Sequence, residues 1–234
     1  IVKFKKIVFT ETSIKELESI DEKKTIIGLI SLYFITAAIV FVSIQLTSFS
    51  YFFYIPCVFL IAGRQGAFVQ LAHEASHFLV SKNEKFNDLF GNYLCAYPIG
   101  VNFKGFRSGH NNHHVNTATQ NDSPTDLDKY KIVDPNKFDL YKLFFKDLIG
   151  VSALEVFFSY GKNKTTTIDT EKKSKTEFFL TLTKLSLVQL FILSLFGFNI
   201  LNYFLFWLFP LISPHMFLMR IRGLAEHGQS NQLG

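Results

Sequence analysis

Six of the chain's seven histidines fall into three clusters whose spacing suits metal ligation. His73 and His77 stand in HEASH, His110, His113 and His114 in HNNHH, and His227 in a late AEH. Residues four apart on a helix share one face, one turn apart, so His73 and His77 can present two imidazoles to one metal. His110 pairs in the same way with His113 at three residues and with His114 at four. The adjacent His113 and His114 diverge enough to serve two metals. Five such ligands exceed one tetrahedral site, so a binuclear centre accounts for them economically. Imidazole-rich sites suit iron, zinc, copper or nickel, and ligand type alone leaves the metal open. HEASH also fits HExxH, in which Glu74 would be the general base of a zinc protease. HNNHH has no role in that chemistry, and no acidic third ligand stands out on a later apolar run.

The elements that must carry these histidines read as a membrane scaffold. The chain has 234 residues, 48% of them hydrophobic and 28 of them Phe, while 18% are charged. The two classes are segregated along the chain. Four stretches, about 25–48, 51–72, 177–196 and 200–219, are long and apolar enough to cross a bilayer. Pro210 and Pro214 are expected to kink the fourth. The turns near Ser48–Ser50 and Gly197–Asn199 carry no charge, whereas the N-terminal tail, the 82–175 segment and the C-terminus hold almost all the Lys and Arg. The positive-inside rule then puts both chain ends and every histidine cluster on the cytoplasmic face, with 73–176 and 220–234 cytoplasmic or interfacial. The net charge of +5 is explained by headgroup contact and implies no nucleic-acid partner.

Leu89–Val101 is apolar but too short to span. Phe138–Tyr160, with Asp139, Lys142 and Lys146 at helical spacing opposite Phe and Leu, reads as an amphipathic helix in the interface. Arg64 and Lys184 fall inside spans. Intramembrane charges are functional candidates, although a lysine two turns into a helix can snorkel to the interface. Cys57 and Cys95 lie in apolar surroundings and imply no disulfide framework. His215, between Pro214 and Met216, reads as structural. The N-terminal stretch lacks the features of a cleavable signal peptide. A first residue of Ile rather than Met suggests an incomplete N-terminus.

HEASH after the second span, FRSGHNNHH after a short interfacial segment, the acidic stretch Asp122–Asp128 and RIRGLAEHG after the fourth span together resemble the membrane fatty acid desaturase family, which includes related hydroxylases and ketolases. The resemblance covers most of the chain. It implies a single desaturase-like membrane domain over 1–234, all-α, with four transmembrane helices in two hairpins and a cytoplasmic helical cap. It implies two irons that activate O2 and remove hydrogen from an unactivated C–H bond. The ligands implied are His73, His77, His110, His113, His114 and His227, with Glu74, Arg107 and Glu226 orienting them. For Arg107, a lipid headgroup contact is the competing reading. The family's third box, HxxHH, does not follow AEH before Gly234, and Gly223 stands where some relatives supply Asn. A truncated chain, ligand-deficient at one or both metals, is therefore expected.

The activity expected on this basis is O2-dependent desaturation of an acyl chain carried on a lipid, coenzyme A or a carrier protein. A hydroxylase or ketolase shares the first hydrogen abstraction and is the nearest alternative. A metal transporter would place its ligands near the bilayer midplane rather than at span ends. No flavin, haem or iron–sulfur motif is visible, so electrons are expected from a ferredoxin or a cytochrome b5-like donor docking on the basic face.

Overall fold

A computed structural model describes the backbone at residues 19–116, 137–159 and 175–227, and their side chains except 137–139, 157–159, 175, 226 and 227. Helix α1 (Glu22–Phe49) opens on Asp21, whose carboxylate accepts from the Lys24 N–H at 3.1 Å. A 3₁₀ turn, Tyr51–Phe53, leads into α2 (Tyr54–Ser76). Then come α3 (Glu84–Leu89), a π-helical segment Phe90–Ala96, a 3₁₀ turn Tyr97–Ile99 and α4 (Phe103–Asn116). After α5 (Lys137–Leu148) and α6 (Val151–Ser159), α7 (Lys175–Leu195) is followed by α8 (Ile200–Tyr203), a second π segment Phe204–Leu208, α9 (Phe209–Ile212) and α10 (Pro214–His227). No strand occurs among the described residues.

Glu22–Phe49, Tyr51–Ser76, Thr176–Leu195 and Ile200–Ala225 are long and apolar enough to cross a membrane, so the expected four-span, all-α architecture is present. The second span runs on to Ser76 and carries His73 within it. At the second hairpin turn, Gly197 adopts φ 61°, and the Gly197 and Phe198 N–H groups close α7 onto the Ser194 and Leu193 carbonyls at 2.9 and 3.2 Å. A left-handed turn of this kind favours glycine, which has no Cβ to clash.

The fourth span is interrupted just before each of its prolines. Pro210 lacks the N–H that would bond the Phe206 carbonyl, and the backbone loosens into the π turn just before it. A second break falls at Ser213 (φ −122°, ψ −90°), immediately before Pro214. In a low-dielectric span, loosened carbonyls need other donors. Tyr54 Oη donates to Leu205 O at 3.1 Å and Gln65 Nε2 to Trp207 O at 2.7 Å, so the second span satisfies the fourth.

The 90–99 segment is largely covered by the rest of the protein. Phe90, Cys95, Ala96, Tyr97, Pro98 and Ile99 are shielded from solvent. Its irregular carbonyls collect donors from three spans: Tyr33 Oη on Leu94 O at 2.9 Å, Gln189 Nε2 on Pro98 O at 3.0 Å and Trp207 Nε1 on the same oxygen at 3.1 Å. One side packs with Ala72, Ala75 and Phe103. The other faces an apolar groove of about 630 Å³ lined by Tyr33, Leu94, Pro98, Lys184, Val188 and Ile192, among others.

The segment expected to be one amphipathic helix is two, α5 and α6, split at Ile149–Gly150, where Gly150 has φ 79°. Asp147 at the end of α5 is fully buried and takes a two-pronged bond from Arg220 of α10, at 2.5 and 2.8 Å. Ser213 Oγ donates to Leu148 O beside it. This pair docks α5 onto the last turns of the fourth span.

Candidate metal centre

The histidines gather at the end of the bundle where spans one and three begin. Glu22, the first residue of α1, accepts from Ser81 Oγ at 2.6 Å just past HEASH, and Lys104 of α4 meets Glu177 of α7 at 3.0 Å. His73 lies in the last turn of α2, while His77 is one step beyond it, at φ −93° and ψ 7°. The His77 N–H still reaches the His73 carbonyl at 3.3 Å, so the two rings remain one turn apart, 4.8 Å between centroids.

Phe78 turns left-handed (φ 60°), with its N–H on Ala75 O at 3.2 Å and the Leu79 N–H on Glu74 O at 3.0 Å. These paired bonds are the Schellman closure of a helix, with Phe where glycine is usual. The turn that follows is held by Asn87, which is fully buried. Asn87 accepts from the Val80 and Ser81 N–H groups at 3.1 and 3.3 Å and donates to the Ser81 and Asn83 carbonyls at 2.6 and 2.9 Å.

Helix α4 carries HNNHH. Its first residue, Phe103, is seated on the backbone of Gly91, where an added Cβ would come within 2.2 Å of the ring. This close approach brings α4 against the 90–99 segment and sets His110 and His114 opposite His73 and His77. Phe106 lies parallel to the His110 ring, centroids 5.7 Å apart.

Ligand atoms of His73, His77, His110 and His114 all lie within 4.8 Å of one another. His110 Nε2 is 2.9 Å from His77 Nε2 and also 2.9 Å from His114 Nε2. An imidazole nitrogen carries either one proton or one in-plane lone pair, so it cannot make two such hydrogen bonds well. Nitrogens bonded to one metal at right angles, with bonds of about 2.0–2.1 Å, would lie about 2.9 Å apart. The donor set therefore fits a cation better than it fits itself.

Electrostatics agree. Burial, followed by the His73, His114, His77 and His113 charges, lowers the His110 pKa from 6.5 to about 3, and burial followed by His73 and His114 lowers that of His77. Neutral imidazole is the metal-binding form.

Of the other candidates, Glu74 Oε1 lies 3.3 Å from His73 Nδ1 and accepts from Gln70 Nε2 at 2.9 Å, an arrangement that leaves His73 Nε2 for a metal. Arg107 points inward, pairing with Asp88 and the Ala75 carbonyl rather than reaching for headgroups. His113 is buried outside the four-histidine group, its ring 6.0 Å from that of His114. His227 closes α10, but its side chain and that of Glu226 lie outside the described residues, as does Asp122–Asp128. His215 is buried 3.4 Å from the Ala62 carbonyl, apart from the group. Arg64 sits mid-span with its Nε shielded and without a hydrogen-bond partner among the described residues. The sequence assigned no role to Phe78, Asp88, Asn87 or Gly91.

Four apolar helices carry a four-histidine cluster that could hold a metal, and the fatty acid desaturase family model matches residues 49–233. The chain belongs to the fatty acid desaturase family. Dihydrorhizobitoxine desaturase of Bradyrhizobium elkanii is 24% identical over 185 residues, 76% of this chain and 53% of that protein. The chain thus spans about half of this relative's length. No solved structure matches it. Family membership together with four apolar helices makes this an integral membrane protein.

Proposed function

We propose that the chain is an O2-dependent acyl desaturase that inserts a double bond into a lipid-, coenzyme A- or carrier-linked chain. The observation that carries this is the convergence of His73, His77, His110 and His114 on one point, in a chain of the desaturase family. His113 and His227 are proposed as ligands of a second iron. Bound iron would supply O2 activation and the oxidant for an alkyl C–H bond.

The chain's own residues do the rest. Neutral imidazoles add no charge to the metals. Glu74 holds His73 by its Nδ1, which fixes the ring and raises its basicity. The apolar groove, at about 630 Å³, falls in the size range of small-molecule sites and suits an alkyl tail. An alkyl tail held in this groove, across the 90–99 segment from Ala72, Ala75 and Phe103, would be shielded from water. Removing two hydrogens from adjacent carbons yields two electrons. Reduction of O2 to water needs two more, which a ferredoxin or cytochrome b5-like donor would deliver at the basic, cytoplasmic face. The relative is named for desaturation, which favours that outcome over hydroxylation.

The test is lipid profiling of cells expressing the chain or its His110→Ala variant. New double bonds that vanish in the variant are expected. Hydroxylated products instead, or acyl chains unchanged by either protein, would reject the proposal.

A further inference from the structure

Phe78 occupies a left-handed backbone conformation that strains an L-residue and that glycine adopts freely. It directly follows His77, and its ring is not buried, at 38% exposure. The Arg107 guanidinium stacks over the Phe78 ring at 4.5 Å and, on another side, over Phe103, also at 4.5 Å. The same guanidinium donates Nη2 to the Ala75 carbonyl at 3.1 Å and Nη1 to Asp88 at 2.5 Å. Arg107 stands one residue short of a full turn before His110 on α4, and Ala75 stands between His73 and His77 on α2. One planar cation thus touches the end of the helix that carries one histidine pair while riding on the helix that carries the other.

We propose that Phe78 and Arg107 form a clamp that sets where His77 stands relative to His110 and His114. The clamp rests on reading the four histidines as a metal centre. Phe78 and Arg107 are positioning residues: neither contributes a ligand atom. Arg107 bonds the Ala75 carbonyl in the last turn of α2 and stacks on the residue after His77, so it transmits the position of α4 to the ligand through two routes. Phe103, wedged on Gly91, backs the guanidinium from below. A compact ammonium could neither stack between two rings nor keep a planar fork on both oxygens.

The experiment titrates Co²⁺, read by its visible absorption, into the full chain stripped of metal in detergent, with Tm followed alongside. Phe78→Gly relieves the left-handed strain, so Tm is expected to hold or rise while Co²⁺ affinity falls roughly tenfold to a hundredfold, as for other groups that orient metal ligands. Phe78→Tyr keeps the ring and should bind as the wild type does. Arg107→Lys should weaken binding like Phe78→Gly. Unchanged Co²⁺ affinity in Phe78→Gly, whatever its Tm, overturns the clamp. If His110→Ala loses binding while Phe78→Gly retains it, the clamp alone fails. If wild type and His110→Ala bind Co²⁺ equally weakly, the metal-centre reading fails and the clamp with it.

Discussion

His110 is the residue on which the site turns, because its Nε2 faces two other imidazole nitrogens at 2.9 Å. Its pKa falls from 6.5 to about 3 in the fold. Between those values the unfolded chain binds a proton that the folded chain does not, so stability of the metal-free protein should fall as pH drops through that window. Melting of chelator-treated protein from pH 7.5 to 5 should show a Tm that declines with acid. The decline should flatten in His110→Gln, and a pH-independent wild-type Tm would contradict the assignment. Gly91→Ala tests the seat of α4: a Cβ 2.2 Å from the buried Phe103 ring should cost about 1–3 kcal/mol and weaken metal binding together. The ligand spacing of HEASH and HNNHH was legible in the sequence because i, i+4 geometry is local. The left-handed Phe78, the four hydrogen bonds of Asn87 and the partner of Arg107 were not. The bonds of Asn87 and Arg107 reach residues outside their own turns, and the closure at Phe78 lacks the glycine that would signal it, so periodicity carries no record of any of them.

Among the elements, the four spans were readable to within about six residues at their ends, since a bilayer demands about 20 apolar residues whatever the packing. The covering of the 90–99 segment by protein was not legible. A short apolar run has the same signature whether it lies on the membrane or between spans, and only the donors from Tyr33, Gln189 and Trp207 reveal its burial. The prolines of the fourth span were correctly suspected, but the distortion lies before each of them, where the lost N–H frees a carbonyl. Docking of α5 was invisible because Asp147 and Arg220 are 73 residues apart. Removing one partner of a buried ion pair costs about 3–5 kcal/mol, so Asp147→Ala should lower Tm sharply in detergent. A variant melting within a degree or two of wild type would show that α5 is held some other way. The groove makes an element-level prediction as well. Val188→Trp, on its wall, should shift products toward shorter acyl chains in the same lipid profile, and an unaltered chain-length distribution would move the substrate path elsewhere.

For the whole molecule, the histidine cluster shares one end of the bundle with the start of α1 and of α7, and the short turns occupy the other. The charge pattern predicts that the histidine end is cytoplasmic. Both cysteines are buried, so single added cysteines can report sidedness. A thiol reagent that cannot cross membranes should label Phe52→Cys from outside the cell and Lys82→Cys only after the membrane is opened; the reverse pattern would invert the topology. The most direct measurement of the central claim is metal analysis of the purified chain beside His110→Ala. The account predicts iron as the bound metal, lost in the variant. Zinc without iron, or iron retained when His110 is gone, would contradict it.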